Sequence, residues 1–183
     1  MNAITIDAVA EILDLSKSRI EQWISRGQFK PRAFQGQGKK REWDIGEVIR
    51  LAVFAKLAED VSLKPTEARP THTEEARNAA AEEAGRMTQY GVHGFKDNGA
   101  FFVCYKTDPD FGWWHEIVRK SDLATFLTSG CEIPKVLMPG YSDEVIRQNS
   151  EPNKGPAAVA VVIDLDAIEQ LVRERWPAAL SSS

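Results

Sequence analysis

The segment TIDAVAEILDLSKSRIEQWISRG, residues 5–27, carries two helical stripes separated only by Asp14-Leu15. Thr5 is placed to cap the first helix, its hydroxyl accepting from a free backbone N–H of the opening turn. Ile6, Val9, Ile12 and Leu13 then recur at helical spacing and form one buried stripe. Ser16 caps a second helix whose Ile20, Trp23 and Ile24 face inward, and Gly27 ends it in the C′ position. Two short helices joined by so tight a turn predict a helix-turn-helix.

The outward positions of the second helix carry Lys17, Ser18, Arg19, Gln22, Ser25 and Arg26, groups that donate to phosphates or to base edges. Between residues 16 and 41 there are eight basic side chains and one acid, Glu21, in a chain whose formal net charge is -4. The first 69 residues hold 12 Lys and Arg against 10 Asp and Glu, and the remainder 11 against 17. A local cationic block in an acidic chain points to a polyanion at one surface and would repel it elsewhere.

After Gly27 the periodicity changes. Gln28 to Phe34 reads as extended, because Pro31 excludes a helix. Gln35-Gly36-Gln37-Gly38 makes a flexible turn, and Lys39-Lys40-Arg41-Glu42-Trp43 returns, with three consecutive cations for a phosphate backbone and Trp43 to pack on the helices beneath. Asp44 and Glu47 form an Asp-x-x-Glu capping box for a third helix. Its stripe is Ile45, Val48, Ile49, Leu51, Ala52 and Ala55, widened by Phe54 and Leu57. Residues 1–69 thus read as a winged helix-turn-helix.

From Ile4 to about Ala68, a third of the chain, the sequence resembles the DNA-binding domain of the MerR family. The matching pieces are TIDAVAEILDLSKSRIEQWISRG, Lys30-Pro31, and KKREWDIGEVIRLAVFAKLAEDVSLKPTEA. Arg41 falls on the family's wing arginine, Trp43 on the wing's aromatic position, and Phe54 to Ala68 on the helix pair that follows. The resemblance implies a transcriptional regulator that binds double-stranded DNA as a homodimer. Its recognition helix, residues 16–26, would enter the major groove with Ser16, Lys17, Ser18, Arg19, Gln22 and Arg26. Its wing, residues 35–43, would lie on the backbone, with Arg32, Lys39, Lys40 and Arg41 as the clamp. The family's Arg-Tyr-Tyr run is here Glu21-Gln22-Trp23, closer to excisionases and terminase small subunits. Glu21 is expected to pair with Arg26 or Lys17, or to accept from a cytosine amino group.

Residues 70–89 read as a linker or dimerisation helix. Thr71 and Glu74 suggest a capping box, and an alanine-rich stretch runs to about Met87 with Ala76, Ala79, Ala80 and Ala84 on one face. Such a face fits packing on its own domain as well as pairing with a second copy. From Tyr90 the text turns aromatic and β-prone. Asp97-Asn98-Gly99 predicts a hairpin turn before the strand AFFVCYK, and Thr107 to Asp110 a turn before WWHEIVRK. Ser121-Asp122 starts the short helix DLATFL, with a further short helix around residues 144–148. AAVAVVIDL is an apolar strand, and DAIEQLVRERW an amphipathic helix. Residues 90–183 are therefore expected to form a small α+β domain, and the whole chain an α+β protein.

That second half serves dimerisation, a small-molecule or protein effector, or a partner surface. Phe101, Phe102, Tyr105, Phe111, Trp113 and Trp114 either line a ligand pocket or make up its core and a dimer surface. His93, His115, Cys104 and Cys131 are the only nucleophile, base or soft-ligand candidates of note. Cys104 and His115 fall on strands that can be neighbours. The two cysteines lack metal-site spacing and no phosphate loop, nucleophile elbow or metal-binding helix motif is present. No catalytic residue, metal or cofactor is expected. No apolar run approaches the roughly 20 residues that span a bilayer, and the acidic N-terminus lacks a basic leader. A cytoplasmic location with reduced thiols follows as the expectation. Two other functions fit the same residues: a phage-type accessory protein for recombination or packaging, and an adaptor whose winged domain binds protein or ligand.

Overall fold

A computed structural model describes residues 4–32, 42–60, 81–82, 84–85, 87–88, 99–106, 114–129 and 156–181. It is a mixed α+β protein with one small antiparallel sheet. The chain divides into two compact units, one formed by Met1–Val92 with Ala167–Ser183 and the other by His93–Asp166.

In the first unit, α1 (Ile6–Leu13) is capped by Thr5, whose hydroxyl accepts from Ala8 N at 3.4 Å. Asp14 ends it in the left-handed region at φ 54°, with Asp14 N donating to Glu11 O and Leu15 N to Ala10 O. That is a Schellman ending in which aspartate takes the place usually held by glycine. Ser16 caps α2 (Lys17–Ser25) through Arg19 N at 3.3 Å. Gly27, at φ +71°, closes α2 the same way, Gly27 N donating to Ile24 O and Gln28 N to Trp23 O.

Asp44 caps α3 (Ile45–Ala55), its carboxylate accepting from Glu47 N at 2.8 Å. The reciprocal half of the expected capping box is replaced. Glu47 turns its carboxylate to Arg32 N, at 3.0 Å, and to the Arg50 guanidinium. Eight of the eleven α3 residues are buried, Arg50, Glu47 and Val53 among them, so α3 is an interior helix and not the one-sided element its stripe suggests. Trp23 and Phe29 each meet Phe54 edge-on, with centroids 5.0 and 5.3 Å apart, and Phe29 stacks on Trp43 at 6.2 Å. Ring pairs of this kind contribute about 1 kcal/mol each beyond their area burial. Ile4 and Trp43 exchange both backbone bonds at 3.0 Å, pinning the start of the chain to the residues before α3. A π-helical turn, Lys56–Asp60, continues α3.

The described residues between 81 and 88 are helical, with Ala81, Ala84, Met87 and Thr88 buried. A Cβ on Gly85 would fall 1.9 Å from the Gln28 carbonyl oxygen, so only glycine permits that approach. This stretch of the alanine-rich helix packs on its own unit. Farther along, the Arg175 guanidinium donates to Ile12 O at 2.7 Å, satisfying a terminal carbonyl of α1.

In the second unit β1 (Ala100–Lys106) is the central strand, paired antiparallel to β2 (Trp114–Arg119) on one edge and to β3 (Val159–Asp164) on the other. Asp97 and Asn98 of the expected hairpin turn lie outside the described residues. Gly99 donates its N–H to both Asp166 carboxylate oxygens and accepts from Lys120 N. A 3₁₀ turn at Lys120–Asp122 leads into α4 (Leu123–Ser129), whose Phe126 packs edge-on against Tyr105 at 5.1 Å and joins Val103 and Val118 in one core. β3 runs directly into α5 (Leu165–Ser181).

Candidate nucleic-acid interface

Helical periodicity puts Ser18 and Ser25 at the centre of the outward face of α2, opposite the buried Ile20 and Trp23. Glu21 and Gln22 border that centre, and Lys17 and Arg19 stand on its two flanks. Ser16 belongs to the cap, with Ser18 Oγ 3.3 Å from its hydroxyl. Ser25 Oγ donates back to Gln22 O, so Ser18, Gln22 and the exposed Arg26 are the groups best turned outward.

Both flanking cations are held by carboxylates from other elements. Lys17 Nζ lies 2.9 Å from Asp7 Oδ1 and donates to Oδ2 at 3.1 Å, and that bond is the main reason its ammonium is raised above its ordinary 10.5. Glu21 adds only a longer-range attraction there, so Lys17 takes the α1 acid and not the one expected on its own helix. Arg19 Nε donates to Glu59 at 2.9 Å and Nη1 to Gln22 Oε1 at 3.0 Å, with its guanidinium carbon 5.1 Å above the Trp23 ring. Both flanking cations thus already have carboxylate partners, while Arg26, Lys30 and Arg32 are exposed.

Arg32 is exposed while its main chain is fixed from below. Arg50 donates to Lys30 O at 2.6 Å, pairs with Glu47, and sits 4.1 Å over the Phe29 ring, while Glu47 accepts from Arg32 N at 3.0 Å. One buried ion pair therefore holds the main chain from Phe29 to Arg32. Partial desolvation and then the neighbouring Arg50 cation push the Arg32 guanidinium below its ordinary value, with Glu47 and Asp44 opposing. Lys39, Lys40 and Arg41, and with them residues 35–41 of the expected wing, lie outside the described residues.

No known family model matches this chain, and no curated protein sequence does either.

In the second unit Cys104 and His115 are direct partners across β1 and β2, and His115 stacks on Phe102 at 5.6 Å. Cys104 is buried, and among the described residues no group of three His, Cys, Asp or Glu is placed to hold a metal. Cys131 and His93 lie outside the described residues. Among the described residues the aromatic side chains of this set divide between the two faces of the sheet. Phe101 and Tyr105 point to the face carrying α4, Phe102 to the opposite face, and Trp114 is exposed, while Phe111 and Trp113 fall outside the described residues. No described helix is long and apolar enough to cross a membrane.

The sequence pattern gives the outward residues of α2 but not Asp7, Glu59 or Arg50, and it gives Glu47 only as a capping partner. Arg50 carried a signal, a cation inside an otherwise apolar helix. Glu59 carried none, since it meets Arg19 across 40 residues of chain.

Proposed function

We propose that this protein is a sequence-specific DNA-binding transcriptional regulator built on an N-terminal winged helix-turn-helix. In this reading α2 enters the major groove, and Ser16, Lys17, Ser18, Arg19, Gln22 and Arg26 face bases or flanking phosphates. Arg32, Lys39, Lys40 and Arg41 clamp the backbone. Residues 70–183 supply dimerisation or an effector surface. The observation that carries the proposal is the exposed polar face of α2 beside Arg32, whose main chain is anchored to α3 through Glu47 and Arg50. A helix for the groove and a fixed root for a basic strand are the two parts such a domain needs.

The test is binding to genomic fragments, followed by affinity against salt on a selected site. Arg41→Ala should weaken binding to all sequences alike and reduce the slope of log K against log salt by about one. An unchanged slope removes the wing from the proposal, and no binding at low salt removes DNA. The Glu21-Gln22-Trp23 run favours a second reading, an accessory protein for recombination or packaging. Bound fragments clustered at recombination or packaging sites, and not at promoters, would select it.

A further inference from the structure

Arg19 is the only described cation of α2 held at once by a carboxylate, an amide oxygen and an aromatic face. Two of its five N–H donors are used, Nε by Glu59 and Nη1 by Gln22, and Nη2 has no partner among the described residues. The guanidinium carbon lies 5.1 Å from the centroid of the buried Trp23 ring, a cation–π contact that adds a third restraint. The side chain is 31% exposed, and its unused N–H groups belong to a planar fork of the kind that matches O6 and N7 of guanine.

Glu59 reaches this position through an unusual backbone. In a continuous α-helix it would sit one turn beyond the buried Ala55. The π-helical turn Lys56–Asp60 widens the helix and changes the phase, so that Leu57 and Ala58 stay buried while Glu59 emerges beside α2. π turns of this kind are rare and recur at functional sites. Lys17 and Asp7 supply the contrast: a point charge with three rotating donors, held by a carboxylate alone and without a ring to orient it.

The geometry points to Arg19 as a reader of one guanine in the major groove and to Glu59 as its positioning residue, setting base selectivity rather than overall affinity. This rests on the DNA-binding proposal above, and the experiment separates the two. Randomised duplexes are selected with the full-length protein, and binding is measured against salt for Arg19→Lys, Glu59→Ala, Glu59→Gln and Asp7→Asn. Wild type should prefer guanine at one position by roughly tenfold or more over other bases. Arg19→Lys and Glu59→Ala should both lose that preference at the same position. Glu59→Gln, which keeps an acceptor for Nε, should retain most of it, and Asp7→Asn should leave it intact while tightening all sequences alike. If Glu59→Ala and Glu59→Gln both strengthen binding to every sequence and keep the guanine, Glu59 only screens a cation and the inference fails. It fails equally if no position depends on Arg19. If wild type binds no duplex, the DNA-binding proposal itself has failed.

Discussion

In the first unit the side chains of Arg50 and Glu47 are 2% and 6% exposed, whereas in the second Lys120 meets Asp164 and Asp166 with 37% of its own side chain still open to water. The buried pair is surrounded by groups it organises: Lys30 O, Arg32 N and the Phe29 ring. The open cluster joins the ends of elements, since Asp164 closes β3, Asp166 lies in the first turn of α5 and Lys120 follows β2. Removing one member of a buried pair leaves a charge in a medium that cannot solvate it, but water takes over when an exposed partner is lost. The same ion-pair chemistry thus fixes a main-chain path in one unit and trims a sheet corner in the other.

Arg50→Ala should break this contrast most sharply. It leaves Glu47 buried without its cation and should cost about 3–5 kcal/mol, read as lower protection from hydrogen exchange in the first unit alone. Arg50→Met with Glu47→Leu should recover most of that stability while still releasing Phe29 to Arg32, which separates the pair's energy from its positioning effect. Phe126→Ala asks the matching question of the second unit, where the core is apolar. Losing its contact with Tyr105 should cost about 3 kcal/mol, with exchange rising in β1, β2 and α4. Gly27→Ala should cost about 1 kcal/mol in thermal or urea unfolding, because φ +71° strains any side chain even though open space surrounds the new methyl.

The smallest effect is the pH response of the open cluster. The Gly99 N–H, and then Lys120, hold the Asp166 carboxyl below its ordinary 3.8. Its contribution is present above that ordinary value and is lost as pH falls through the depressed one. Bonds to Asp164 and then Asp166 raise Lys120 above 10.5, so its contribution holds below 10.5 and is lost as pH rises through the raised value. The difference in Tm between wild type and Asp166→Asn should be flat near neutrality and shrink at both extremes. A difference that does not change with pH would mean that Asp166 acts only by shape.

Much of the local structure was legible because it is written in adjacent residues. Thr5, Ser16 and Asp44 announce their helices, Gly27 ends one, and the three strands follow the apolar runs that predict them. Asp14-Leu15 interrupts the helical stripe, but the left-handed Schellman ending is not written there, since aspartate signals that conformation less strongly than glycine. The partners of Glu47, Arg19 and Gly99 depend on residues brought together from 15, 40 and 67 positions away, and no local pattern encodes them. The candidate interface was accordingly legible as a face and illegible as a set of restrained side chains.

The strand order β2-β1-β3 also carries a consequence for how the protein is made. β1 and β2 pair across a short connection, but β1 must wait for β3, which begins at Val159. The first unit waits longer still, because it includes Ala167–Ser183. During synthesis the second unit is incomplete until β3 leaves the ribosome and the first until Ala167–Ser183 does, and one edge of β1 stays open until β3 arrives. A nascent chain stalled before Val159 should therefore be held by chaperones that one stalled a few tens of residues past Ser183 no longer engages.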